Sequence, residues 1–176
     1  MTAGRSSVTK NKEWFTPPDF MVSVYEVLGK VALDPCSAER SPVVAVTYFR
    51  LPETDGLAER WDYPTIFVNP PYGRDKTRGT SIRDWLRKCS EAASQGSEVI
   101  ALVPVAPNTR HWKESVFPTC SRICFIKTPR FKFVGAGSKG APMAVAAVYW
   151  GERPQLFQQA FTRWGAVVSV IPPRRR

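Results

Sequence analysis

The chain has 176 residues, 43% hydrophobic and 12% aromatic, which suits a single globular domain with one buried core and excludes wholesale disorder. No apolar stretch approaches the roughly 20 residues that span a bilayer, and no secretory h-region follows the polar N-terminus, so a soluble cytoplasmic protein is expected. A net charge of +10, from 25 Lys and Arg against 15 Asp and Glu, points to a polyanionic partner such as nucleic acid.

Residues 1–12 are small, polar and basic and are expected to be disordered; one domain spans 13–171. After Glu13-Trp14-Phe15-Thr16-Pro17-Pro18, Asp19 caps a predicted helix over Phe20 to Leu28, with Val22, Tyr25 and Leu28 at helical spacing. Gly29 closes it. Val31-Ala32-Leu33 reads as a short strand running into Asp34-Pro35-Cys36-Ser37, and Val43 to Phe49 as an extended segment. Thr54-Asp55-Gly56-Leu57 is a turn. The apolar run Thr65-Ile66-Phe67-Val68 reads as a buried strand that stops at Asn69-Pro70-Pro71-Tyr72, where two prolines remove the donors a ladder needs.

Gly73 to Thr80 is a basic loop carrying Arg74, Lys76 and Arg78. Ser81 caps a predicted helix over Ile82 to Ser94, with Ile82, Trp85, Leu86 and Cys89 on one face. Val99 to Pro104 is the clearest buried strand, the segment around Arg110 to Phe117 a weaker helix, and Ser121 to Lys127 another strand. Phe131 to Val134 and Ala144 to Trp150 read as two strands joined by the glycine-rich loop 135–140. Phe157 to Trp164 is ambiguous, Ala166 to Ile171 reads as an edge strand, and 172–176 as a basic tail. Strands alternating with helices predict a three-layer α/β fold, its sheet mostly parallel with an antiparallel C-terminal hairpin.

Two signals fall at strand ends, the edge where open α/β sheets bind ligands. Asn69-Pro70-Pro71-Tyr72 holds an amide that can accept hydrogen bonds and a ring that can stack on a flat group; a proline-capped strand end would look the same. Leu33-Asp34-Pro35-Cys36 places an acid where it could hold a ligand's donors, although an ordinary Asp-Pro turn would also read so. No G-x-G-x-x-G is present, so a dinucleotide fingerprint is absent. The cysteines Cys36, Cys89, Cys120 and Cys124 are scattered and His111 is the single histidine; no metal site is expected and the thiols read as reduced and mostly buried. Arg130-Phe131-Lys132-Phe133 alternates basic and aromatic residues at strand period, as a DNA-contacting strand or a half-buried edge strand would.

Asn-Pro-Pro-Tyr resembles the catalytic motif of S-adenosylmethionine-dependent methyltransferases that act on amino or amide nitrogens. The order W-F-T-P-P, L-D-P-C-S, D-G-L with a downstream Trp, F-V-N-P-P-Y-G and R-F-K-F resembles the phage and prophage DNA N-6-adenine methyltransferases of the Dam type, from about Glu13 to Gly151. The resemblance implies a Rossmann-like methyltransferase fold in which the strand-edge Asp-Pro replaces a Gly-rich loop. It implies S-adenosylmethionine as cofactor: Asp34, Pro35 and Cys36 as its binding turn, Trp14, Phe15, Thr16 and Pro17 closing over its methionine end, and Asp55 near its adenosine.

Adenine's exocyclic amino group is a poor nucleophile because its lone pair is delocalised into the ring. Asn69 Oδ1 and the Pro70 carbonyl could accept its two N–H groups, and Tyr72 could stack on the base, with no covalent intermediate. Such a base must be flipped or unpaired. Arg74, Lys76, Arg78, Arg130 and Lys132 are the expected DNA contacts, in the cytoplasm of a bacterial or phage-infected cell. Methylation of RNA adenine or of a protein glutamine amide, or a silent nucleic-acid-binding module, remain alternatives. The target sequence is not legible, and a monomer is the simplest reading of the oligomeric state.

Overall fold

The central strands read as nearly unbroken apolar runs because both faces of the sheet are covered there. In the computed structural model, which describes residues 14–127, 131–135 and 141–171, seven strands form one sheet. They are β1 (Val31–Asp34), β2 (Ala45–Tyr48), β3 (Thr65–Val68), β4 (Glu98–Pro104), β5 (Arg122–Ile126), β6 (Val145–Trp150) and β7 (Gly165–Ser169), in spatial order β2-β1-β3-β4-β6-β5-β7. β1 to β4 are mutually parallel. β6 runs antiparallel to both β4 and β5, and β7 antiparallel to β5. The sheet is therefore parallel from β2 through β1 and β3 to β4, with antiparallel C-terminal strands beyond.

Alternate residues of the central strands feed two cores. Ile100 and Leu102 of β4 and Ala147 and Tyr149 of β6 pack with α1 (Pro18–Leu28) and α3 (Pro154–Phe161). Val99, Ala101 and Val103, with Ala146, Val148 and Trp150, pack on the opposite face with α2 (Ile82–Ser94) and a π-helical turn, Trp112–Val116. The expected layering of helices on both faces is present. All four cysteines are free and all but half-buried Cys36 are buried.

α2 has the predicted bounds, and its start is fixed by Asp84 Oδ2 accepting the Ser81 N–H at 2.9 Å. α1 begins at Pro18, so Asp19 lies in its first turn and does not cap it. The Pro17 carbonyl accepts the Phe20 and Met21 N–H groups instead. At the other end Gly29 adopts φ +70° and its N–H donates to the Tyr25 carbonyl, the left-handed stop that glycine permits. Phe157 to Phe161 is helical, and β7 is the expected edge strand.

The predicted hairpin of Phe131 to Val134 with Ala144 to Trp150 does not form. Both edges of β6 are already paired, to β4 and β5, so no ladder position remains. Phe131 to Val134 turns its rings into the core and makes a single bridge, between Val134 and Phe15. The N-terminus, the tail 172–176, Arg130 and residues 136–140 of the glycine-rich loop lie outside the described residues. No described helix is long and apolar enough to cross a membrane.

Candidate functional site

Parallel neighbours bring their carboxyl ends to one edge, and β1 and β3 are neighbours. β1 ends on Asp34, only 4% exposed, followed by buried Pro35. β3 hands the chain to Asn69, buried Pro70, exposed Pro71 and half-buried Tyr72. The Asp34 turn is tied to the end of β2, with Phe49 N–H donating to the Asp34 carbonyl (3.0 Å) and Ser37 N–H to the Phe49 carbonyl (3.1 Å). Cys36 N–H donates to Asp34 Oδ1 at 3.2 Å. Burial pushes the Asp34 carboxyl up to about 6, against the opposing pull of hydrogen bonds from Cys36 and Ser37 and of the Arg50 charge. Burial also raises the Cys36 thiol, Asp34 adds to that, and the Asn69 backbone opposes it.

Asn69 is oriented by its own amide. Nδ2 donates to the Trp14 carbonyl at 3.0 Å. A carbonyl can only accept, so the nitrogen must face Trp14, and Oδ1, which has no partner among the described residues, is left as a free acceptor. The Tyr72 hydroxyl donates to the Leu102 carbonyl at 3.1 Å, and burial holds this phenol well above its usual range, keeping the proton in place.

Two segments that pair with each other flank this turn. Phe15 N–H donates to the Val134 carbonyl at 3.0 Å and Val134 N–H to the Phe15 carbonyl at 2.9 Å. Trp14 stacks on Phe133, ring centroids 5.5 Å apart, and Tyr72 meets both rings near perpendicular. Thr16 is 1% exposed, yet among the described residues its Oγ1 has no hydrogen-bond partner, and the buried Trp14 Nε1 likewise has none. Buried polar groups left alone are costly, so these two mark places that a polar ligand group fits.

Beside the turns lies a cleft of about 770 Å³, lined among others by Pro35, Cys36, Arg50, Asp55, Pro71 and Arg78. The Nε of Arg50 is buried, with no partner among the described residues. Asp55 enters the cleft because the next residue is glycine: a Cβ on Gly56 would stand 1.8 Å from the Pro35 carbonyl oxygen. Trp61 fixes this turn by donating from Nε1 to the Gly56 carbonyl at 2.7 Å. Gly56→Ala is therefore expected to push the Asp55 turn off the Asp34 turn and to cost about 1–3 kcal/mol of stability, as overpacking does. Denaturant unfolding checks this; wild-type stability in the variant would contradict the close approach.

Most of the predicted residues thus converge. Trp14 to Pro17, Asp34 to Cys36, Asp55 and Asn69 to Tyr72 surround one edge of the sheet, and Arg74 and Lys76 follow on exposed positions of the next loop. Lys132 is exposed between buried Phe131 and Phe133, as the alternation predicts, although not on a strand. Arg78, expected as a phosphate contact, is held by neighbouring acids. It turns inward, Nη1 to Asp55 Oδ1 and Nε to Asp75 Oδ2, both at 2.8 Å, so its fork is occupied by carboxylates. Sequence reasoning missed this pairing, whose one local signal is the i,i+3 spacing of Asp75 and Arg78. It also missed Arg50, and Phe133 as a wall of the site. Among the described residues no His, Cys, Asp or Glu cluster could hold a metal ion.

An acid and an Asn-Pro-Pro-Tyr turn thus share the carboxyl edge of an α/β sheet, the edge at which open sheets of this class bind ligands. The family is settled by comparison: the model for DNA N-6-adenine-methyltransferase (Dam) matches residues 5–148, and the chain belongs to that family. No curated protein matches it.

Proposed function

We propose that this protein transfers a methyl group from S-adenosylmethionine to the exocyclic amino nitrogen of adenine in DNA, on a Rossmann-like methyltransferase fold. The observation that carries the reading is Asn69, at the end of a buried strand, with Nδ2 tied to Trp14 and Oδ1 free to accept. Family membership supports the substrate class.

The cofactor, when bound, supplies an activated sulfonium methyl group. The chain's own residues fit it: the unpaired Thr16 Oγ1 suits the polar methionine end, and Asp34 and Asp55 suit donors further along the ligand. Asn69 Oδ1, with the Pro70 carbonyl, accepts the target N–H groups and favours the pyramidal amino geometry that exposes the lone pair. Tyr72 stacks on the extruded base, a contact worth about 1–3 kcal/mol. Incorporation of labelled methyl into DNA, RNA and protein substrates side by side tests the reading; label in DNA supports it, and label confined to RNA or protein would overturn it.

Substrate affinity follows from charge. Exposed Arg74 and Lys76, with Lys132, meet phosphates, so log affinity should fall linearly with log salt at about −0.9 per phosphate neutralised. Arg74→Ala with Lys76→Ala should weaken binding similarly for different sequences and flatten the slope by about 2. Fluorescence anisotropy across a salt series measures both; tight binding to one sequence that barely responds to salt would be the contrary result.

A further inference from the structure

The loop after the catalytic turn is a built structure, organised by Asp75. Its Oδ1 accepts the N–H groups of Thr77 (2.9 Å) and Arg78 (3.1 Å), and its own N–H donates to the Thr80 carbonyl at 2.9 Å, closing the loop on itself. From this staple the Arg78 guanidinium reaches across to the cleft, donating to Asp55 Oδ1 as well as Asp75 Oδ2. Asp55 Oδ1 also accepts the Leu57 N–H at 3.0 Å, so that oxygen is saturated. Oδ2 has no partner among the described residues, on a side chain that lines the cleft.

We infer that Arg78 is a positioning residue that couples the two ligand sites: through the Asp55–Arg78–Asp75 bridge, a ligand in the cleft and DNA on the 74–80 loop each tighten the other's binding. This rests on the reading that the cleft takes S-adenosylmethionine. The bridge acts through geometry more than through energy. The Arg78, Asp55 and Asp75 side chains keep 23%, 32% and 37% of their exposure, where ion pairs contribute modestly. A planar guanidinium held between two carboxylates nevertheless fixes direction as well as distance. It holds the Asp55 carboxylate on the wall of the cleft, and it sets where exposed Arg74 and Lys76 stand. Ordering either end of the bridge spares the second ligand that ordering cost, and linkage makes the effect reciprocal.

Asp75 provides the clean test, since it does not line the cleft. Asp75→Asn keeps an Oδ1 acceptor for Thr77 and Arg78 but turns an amide N–H toward the guanidinium, breaking the bridge. Arg78→Lys keeps the charge and loses the fork. S-adenosylhomocysteine is titrated calorimetrically into the full chain, with and without a short adenine-containing duplex, and the ratio of the two dissociation constants is the readout. A residue that only stabilised the fold would leave this ratio unchanged in the folded fraction.

In the wild type, DNA should tighten the probe by at least about fivefold. In both variants, checked as folded by thermal melting, the ratio should fall toward one. A wild-type ratio near one would overturn the inference, as would a ratio kept at its wild-type value in either folded variant; should one variant not fold, the other decides. A wild-type protein that binds no S-adenosylhomocysteine overturns the methyltransferase reading itself, and the first titration alone distinguishes that failure.

Discussion

Asn69→Ala is expected to lower methyl transfer by about a hundredfold or more while leaving cofactor affinity nearly unchanged. The magnitude is that of removing one preorganised polar group aimed at a reacting centre, about 10²–10³ in turnover. Preorganisation is visible in the free protein: the side-chain amide is already held by the Trp14 carbonyl, so no rotamer need be fixed when the base arrives. Asn69→Asp offers a finer cut. It keeps an oxygen toward the base but cannot donate to Trp14, and should retain part of the activity with a loosened N-terminal segment. Single-turnover rates with calorimetric cofactor affinities separate the effects. A wild-type rate in Asn69→Ala would make the Asn-Pro-Pro-Tyr turn a structural strand end only.

Asp34→Asn should have two large effects of opposite sign. The carboxyl, 4% exposed, is raised from 3.8 to about 6 by burial, so the folded protein holds this proton more tightly than the unfolded chain. The penalty of burying the charge is therefore absent below about pH 4, grows between about 4 and 6, and is fully present above that. At about 1.36 kcal/mol per unit it amounts to about 3 kcal/mol at neutral pH. Asn carries no charge and still offers Oδ1 to the Cys36 N–H, so the variant should be more stable than wild type at pH 8, with the gap closing near pH 4. It should also bind cofactor at least tenfold more weakly, about 1.4 kcal/mol, because a carboxylate acceptor is lost. By the same titration, wild-type cofactor affinity should decline as pH falls below about 6. Denaturant unfolding at pH 4 and 8 with parallel titrations checks these signs; an Asn variant destabilised equally at both pH values would contradict the account of Asp34.

The ends of α2 and β3 were the most legible part of the sequence, because local chemistry decides them. Ser81 with Asp84 starts α2 where predicted, and the prolines after Val68 stop β3 where predicted. Phe131 to Val134 was not legible. Inward Phe131 and Phe133 around exposed Lys132 give the same alternation on an irregular segment as on a strand, and only the pairing of β6 on both edges decides between them. The partners of Arg78 were not legible for a related reason. An excess of positive charge says that phosphates are suitable partners, but Asp55 lies 23 residues away and reaches Arg78 only through the tertiary fold. The cleft, built from the 49–56 segment against Pro35 and Pro71, is likewise a product of tertiary packing, while the Asp34-Pro35 turn, Asp55 and the Asn69-to-Tyr72 turn, which lend it Pro35, Asp55 and Pro71, were visible one by one.

The most direct test of the central claim identifies the product. DNA incubated with the protein and S-adenosylmethionine, digested to nucleosides and resolved by mass spectrometry, should contain N6-methyladenine, which should fall about a hundredfold or more with Asn69→Ala. A folded, cofactor-binding wild-type protein that leaves adenine unmodified in both duplex and single-stranded DNA, or that methylates cytosine instead, would contradict it.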